Sequence, residues 1–377
     1  MQPVEKRFCD KYILSQQLSG RKEGRGMPAD MKTIAERVGV SKTTVHRALA
    51  NAGRISPETR AKILKVAAEL DYRPNNLARG LRSQKSATVG LVVIGLTNSF
   101  YATILEGVES IATESGYSVL IARSDGSPSR EAQHLDVFRE KRVDGMIIAP
   151  ASSMQNIDYY RKLQQNGIPF VFIDRYVPSV DSDYVMTDNF LGAYMAGKHL
   201  LKLGRKKIGF GMIPGSEMTS TSVTERLRGL TAALTEAGLG PPIMIGEGMP
   251  SMRPQESFAA TAVKKFFQDG GKVDGILGGN DDTAIGIIKG LQEIGIAVPD
   301  DVSVVGFDDL DIAPYIQPAL TTIRQPARQM GEEALRLLLE RMSSEPRTHH
   351  KHVLLQPELI VRESCGANSK EVKQTYT

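Results

Sequence analysis

The chain has 377 residues, 41% of them hydrophobic and 24% charged, with a formal net charge of +4. That length suggests two or three domains with ample core, and the composition is ordinary for a soluble globular protein. Cys9 and Cys365 are the only cysteines, which excludes a disulfide framework or a cysteine metal cluster. The longest apolar run, Val89 to Leu96, is far short of a membrane span. Glu5, Lys6, Arg7, Asp10 and Lys11 interrupt the N-terminus, which does not read as a secretory signal, so a reducing cytoplasm is the expected compartment. Residues 1–86 hold 18 Lys and Arg against 8 Asp and Glu, while the remainder holds 29 against 35. A basic head on an acidic body points to a polyanionic partner for the head.

Residues 1–30 read as a disordered tail or a mis-assigned start, with Met27 and Met31 as alternative starts. Met31 to Ala50 then reads MKTIAERVGVSKTTVHRALA. Ile34, Ala35 and Val38 make one face of a short helix. Gly39 can leave that helix with positive φ, and Val40 is a spacer in the turn. Ser41 suits the N-cap of a second helix, where Val45, Ala48 and Leu49 face inward. Lys42, Thr43, Thr44, His46 and Arg47 are left on its outer face. Two short helices around a glycine turn, the second with a polar and basic outer face, is the helix-turn-helix pattern.

Asn51-Ala52-Gly53 breaks the chain, and Ser56-Pro57-Glu58 starts a third helix with Ile63, Val66, Ala67 and Leu70 inward. Pro74 ends it, closing a DNA-binding domain over residues 31–74. Residues 75–86 read as a hinge helix or linker. Asn75 caps a short helix with Leu77, Ala78 and Leu81 on one side and Arg79 and Arg82 on the other, too short to be stable alone.

From Val89 the pattern alternates strand and helix: strands at 89–96, 117–122, 145–149 and 170–173, with helices at 101–115, 130–142 and 156–166 between them. A second series follows. Its helices are at 190–203, 223–236, 257–268 and 283–293, and its strands at 208–213, near Met244, at 275–277 and at 302–307. Gly116, Gly167, Gly238 and Gly295 end four of the helices. Such alternation predicts parallel sheets with helices on both faces, in two similar lobes. Ligands of open α/β sheets lie beyond the carboxyl ends of the strands, so two facing lobes share one cleft. The expected two-lobed domain spans 87–363, with lobe 1 at about 87–187 and 325–352 and lobe 2 at about 188–324 and 353–363. Residues 364–377 read as a disordered tail without leucine heptads.

Several fragments imitate other chemistry. Gly192 to Lys198 has P-loop spacing, but His199 replaces the required Ser or Thr and the segment lies inside a helix. Gly209-Phe210-Gly211 lacks the third glycine of a dinucleotide fingerprint. His349, His350 and His352 read as a solvated loop before a strand at 353–355. The pairs Asp281-Asp282 and Asp308-Asp309 point apart, and no nucleophile set stands out. Neither an enzyme nor a cofactor or metal site is expected.

With these elements in place, the chain resembles the lactose/galactose repressor (LacI/GalR) family of bacterial transcription regulators over about residues 31–363. The motifs that carry the likeness are TIAERVGVSKTTVHRAL, ISPETRAKILKVAAELDYRPNNLARGLRS, FIDR at 172–175, ERLRGL at 225–230, GGNDDTAIG at 278–286, VSVVGFDD at 302–309 and PALTTIRQP at 318–326. The resemblance implies an α/β protein with an N-terminal three-helix helix-turn-helix domain, a hinge helix and a two-lobed, periplasmic-binding-protein-like effector domain. It implies a homodimer on a pseudo-palindromic double-stranded operator, regulated by a small molecule, most simply a sugar. A nucleobase co-repressor is the alternative on the same architecture. A transporter's solute-binding protein is the rival of another class, but it would carry a secretory signal and no helix-turn-helix.

The likeness also carries over residue by residue. Lys42, Thr43 and Arg47 match base-reading positions, and Ser41 and Thr44 match phosphate contacts. His46 departs from the family's usual serine, which adds a donor or a pH-sensitive charge. Asn75, Ala78 and Leu81 match the hinge in the operator's minor groove, with Leu81 as the wedge between base pairs. Asp174, Arg226, Asn280 and Asp308 match polar cleft positions, with Asn98, Phe100 and Tyr101 at the cleft mouth. The positions near Met249 to Pro254 do not align.

Overall fold

The computed structural model describes residues 30–49, 52–72, 85–97, 99–213, 220–249, 254–343 and 349–367. It forms two compact units, divided between Arg79 and Gly80. In the first unit, α1 is Met31–Val38, α2 Lys42–Leu49 and α3 Pro57–Glu69. Each start has a side-chain cap. Asp30 accepts from the Thr33 amide at 2.8 Å, Ser41 Oγ from Thr44 at 3.1 Å and Ser56 Oγ from Thr59 at 3.2 Å. Gly39 ends α1 at φ 74°, a left-handed conformation that glycine adopts without strain. Ile34, Ala35, Val45, Ala48, Ile63 and Ala67 form the core. Asp30 therefore belongs to this unit, whereas the sequence placed it in the tail.

The second unit holds two six-stranded sheets. The first contains β1 (Thr88–Val93), β2 (Ser118–Arg123), β3 (Gly145–Ile148), β4 (Phe170–Ile173), β5 (Asp183–Thr187) and β11 (His352–Leu355), in the order β11-β5-β4-β3-β1-β2. The second contains β6 (Ile208–Gly211), β7 (Ile243–Ile245), β8 (Gly275–Gly278), β9 (Ser303–Asp308), β10 (Thr321–Arg324) and β12 (Glu358–Ile360), in the order β12-β10-β9-β8-β6-β7. The two orders superimpose position for position, so β4 and β9 are counterparts. Helices α4 (Ser99–Ser115), α5 (Pro128–Glu140), α6 (Ile157–Gln165) and α11 (Ala327–Arg341) clothe the first sheet. Helices α7 (Asn189–Lys202), α8 (Thr221–Glu236), α9 (Gln255–Gln268) and α10 (Asp281–Glu293) clothe the second. The four helix-ending glycines all take positive φ.

Four elements escaped the sequence reading: β5, β10, β12 and α11. The strands are short, DYVMT, TTIR and ELI, with at most three apolar residues in a row, and Asp183 at the start of β5 is fully buried where Arg341 of α11 pairs with it. Helix α11 returns from the second lobe to pack on α4. A Cβ on Gly107 would lie 2.1 Å from the Arg328 carbonyl oxygen, and one on Gly331 equally close to that of Ile104. The two helices thus touch backbone to backbone, which only glycine allows.

Three expectations need correction. Residues 353–355 belong to the first lobe, because β11 pairs in parallel with β5. Strand β12 pairs antiparallel with β10, so the sheets are not wholly parallel. The reason is direction: β11 runs toward the cleft, and the chain crosses it and leaves along β12 in the opposite sense. Residues 364–367 are not tail. The Ser364 hydroxyl donates to the Val304 carbonyl at 2.7 Å, and Cys365 is buried in the second lobe's core. Among the described residues, no helix is long and apolar enough to cross a membrane.

The chain passes between lobes at Thr187–Asn189, Arg324–Ala327 and Leu355–Glu358. Beside these crossings the lobes touch directly. The Asp311 amide donates to Ser99 Oγ at 3.1 Å, and the Tyr176 amide to Thr221 Oγ1 at 3.1 Å.

Candidate functional site

Two sites follow from this architecture, one in each unit. On α2, Val45 and Ala48 are buried while Lys42, Thr43, His46 and Arg47 are exposed on the opposite face. Ser41 and Thr44 serve the helix start, their hydroxyls 2.9 Å apart. Arg47 is positioned by a residue the sequence treated only as a break. A Cβ on Gly53 would lie 3.3 Å from Arg47 Cδ, so the arginine stem rests on the glycine. An exposed helix face with two cations, an imidazole and a hydroxyl is able to contact phosphates and base edges. Asn75, Ala78 and Leu81 lie outside the described residues.

In the body, a cleft of about 460 Å³ opens at the carboxyl ends of both sheets. Phe100, Tyr101, Asp174, Arg226, Asn280 and Asp308, six of the residues expected there, all line it. Asn98 lies outside the described residues, as do residues 250–253. Tyr101, from α4, donates its hydroxyl to Asp174 at 2.8 Å, and Arg175 Nε reaches the same oxygen at 3.0 Å. From the second lobe, Arg226 of α8 donates Nε to Asn189 at 2.8 Å and Nη1 to the Gly279 carbonyl at 2.6 Å. Its Nη2 is 3.9 Å from Asp308, and its guanidinium lies 3.7 Å from the Phe307 ring centroid. Asn280 caps α10 through the Thr283 amide at 3.0 Å and turns its Nδ2 to Gln255 at 3.0 Å.

The two cleft aspartates are counterparts: Asp174 follows β4 and Asp308 ends β9. Both have positive φ, 67° and 135°, and Asp309 has 59°. Such conformations cost an L-residue about 1–3 kcal/mol each, so neighbours must hold them. Buried Asp281 does so for the second lobe: it accepts from the Leu310 amide at 2.8 Å and from the Thr322 hydroxyl at 2.5 Å. Gln325 donates Nε2 to Asp308 at 2.6 Å.

Burial dominates the electrostatics. It pushes the Asp308 carboxyl well above the usual range against the pull of Arg226, with Asp281 and Asp174 adding to the rise. It pushes Asp281 up to about 7 and raises the Tyr101 phenol, which also faces Asp174. It lowers the Arg226 guanidinium, with Asp308 acting the other way. Burial thus works against the charged forms of Asp308, Asp281, Tyr101 and Arg226 alike.

Sequence reasoning missed Arg175, Asn189, Gln255, Glu256, Asp281, Asp282 and Gln325, which line or support the cleft. Arg175, Asp281, Asp282 and Gln325 sit inside motifs quoted for the resemblance, so adjacency to a strand end was the available signal. The imitators fall where their sequence context put them: Gly192–Lys198 within α7 and Gly209–Gly211 within β6. In the histidine segment His349 and His352 are exposed, as expected of a solvated connection, and His350 is half-buried. His350 Nδ1 meets Arg341 Nη2 at 2.7 Å and the His352 ring stacks on Tyr184 at 4.1 Å. Among the described residues, no three candidate ligands gather to hold a metal.

Known proteins share both units. The model of bacterial regulatory proteins of the lacI family matches residues 30–75, and the periplasmic binding protein-like domain matches residues 198–365. The HTH-type transcriptional repressor PurR of Photobacterium profundum is 31% identical over 338 residues, 89% of this chain and 98% of the relative. The ribose operon repressor of Haemophilus influenzae is 30% identical over 89% of this chain and 98% of its own length. A solved structure of a transcriptional regulator CelR-cellobiose complex matches with a TM-score of 0.64 at 28% identity, over 89% of this chain and 99% of that one.

Proposed function

Because the chain belongs to the lacI family of bacterial regulatory proteins, and is thus a DNA-binding transcriptional repressor, we propose that it is a sugar-responsive one. The observation that carries the ligand reading is the convergence of Tyr101 and Asp174 from one lobe with Arg226, Asn280 and Asp308 from the other in one cleft. Carboxylates and amides match vicinal hydroxyls, and the Phe100 ring offers a face to a sugar's C–H surface. The ribose operon repressor and the cellobiose complex support this reading, and similarity to the repressor PurR keeps a nucleobase as the second one.

On this reading two chains act together in the cytoplasm. Each α2 enters the major groove of one half-site, with Lys42, Thr43 and Arg47 on base edges and Ser41 and Thr44 near phosphates. His46 sets part of the operator preference. Asn75, Ala78 and Leu81 reach the minor groove at the centre, where Leu81 opens a base step. Ligand in the cleft changes how the lobes lie against each other at Ser99–Asp311 and Tyr176–Thr221. That change alters operator affinity: two sites joined by one coupling energy.

The test is operator binding by the purified full chain across a library of pseudo-palindromes, with and without sugars. Binding is expected to weaken steeply with salt and to shift at least fivefold with one sugar. Operator affinity indifferent to every sugar and altered by a purine base would replace the first reading with the second.

A further inference from the structure

We propose that the cleft takes an uncharged ligand rich in hydrogen-bond donors, a free sugar as opposed to its phosphate or its acid. The inference rests on the effector reading above and narrows it. Four carboxylates line the cleft, Asp174, Glu256, Asp282 and Asp308, against two guanidiniums, Arg175 and Arg226, and no lysine lines it among the described residues. Each guanidinium already answers a carboxylate: Arg175 holds Asp174 at 3.0 Å, and Arg226 faces Asp308 while donating to Asn189 and Gly279. A proton on Asp308 still leaves more carboxylates than guanidiniums. Of the four helix starts that face the cleft, those of α4 and α8 have no acid in the first turn, while those of α9 and α10 are already answered. Glu256 lies in the first turn of α9, and Asp281 and Asp282 lie in the first turn of α10, where they already meet the helix dipoles.

Gln325 adds an independent observation. It lines the cleft at 5% exposure, its Nε2 is committed to Asp308, and its Oε1 has no hydrogen-bond partner. A buried, unfilled acceptor beside the Asp308 carboxyl calls for donors. A sugar hydroxyl donates and accepts. An ionised phosphate or carboxylate only accepts, and it would bring negative charge among negative charge.

The experiment is isothermal titration of the full-length protein with neutral pentoses and hexoses, with the same sugars as terminal phosphates and uronic acids, with inorganic phosphate, and with neutral purine bases. A neutral sugar is expected to bind, its phosphate and its acid at least 100-fold more weakly. In a Glu256→Lys variant the gap between the sugar and its phosphate should narrow at least tenfold. A phosphate or uronate binding the native protein as tightly as its neutral parent overturns the charge rule, while leaving the sugar reading intact. A neutral purine base that binds where no sugar does supports the charge rule and sinks the sugar reading instead.

Discussion

The N-terminal unit and the lobed body solve the same problem, presenting side chains to a partner, in opposite ways. In the unit, six buried residues hold three short helices, and the candidate contact residues on α2, apart from half-buried Thr44, are surface side chains. Its site is the outside of one helix. In the body, the candidate contacts are themselves buried: Asp174 at 2%, Arg226 at 4% and Asn280 and Asp308 at 9% exposure. They are held by strained backbone and by one another. A surface site tolerates change in its contacts but depends on a small core; a buried polar site is bound up with the stability of the domain that holds it.

Substitutions can break that contrast. The largest effect is expected at Arg226. Arg226→Ala leaves Asp308 buried without its cation and should cost the body on the order of 3–5 kcal/mol in urea unfolding while abolishing the ligand response. A variant with undiminished stability would show that the cleft is not built on this pair. Ile34 is fully buried in the small core. Ile34→Ala should cost the N-terminal unit about 2–5 kcal/mol, enough to lose operator binding. Ligand-induced thermal stabilisation of the body should be untouched; if both fall together, the two units are not separable.

A gentler probe uses pH. His199 is buried in α7 with its Nε2 unpartnered, and burial lowers its pKa from 6.5 to about 4. The unfolded chain binds a proton near pH 6.5 that the folded chain refuses until about pH 4. The contribution of His199 should therefore be full above 6.5, fall as pH drops through that window and level off below it, by up to about 3 kcal/mol, while Asp281, raised to about 7, acts in the opposite sense over the same window. Stability curves for His199→Met and the native chain that run parallel between pH 7 and pH 4 would remove this assignment. The smallest effect is expected at Ser41. Ser41→Ala removes the α2 cap and should cost about 1 kcal/mol, lowering the melting temperature of the N-terminal unit alone.

What the sequence determined by itself is local. Caps, a glycine turn and 3.6-residue spacing specify α1, α2 and α3, and the outer face of α2 follows from periodicity alone. In the body, apolar runs between glycine stops marked most strands and helices, and the ends of those strands marked Asp174 and Asp308. The tertiary structure decided the rest. A buried aspartate can open the interior strand β5 because Arg341 comes from 158 residues away to meet Asp183. Gln325 and Asp281 matter only because β9, β10 and α10 converge at one point. Arg47 has its direction from Gly53. Periodicity reports how a residue lies relative to its own helix or strand; burying a charge or straining a carboxylate requires partners that only the folded chain brings together.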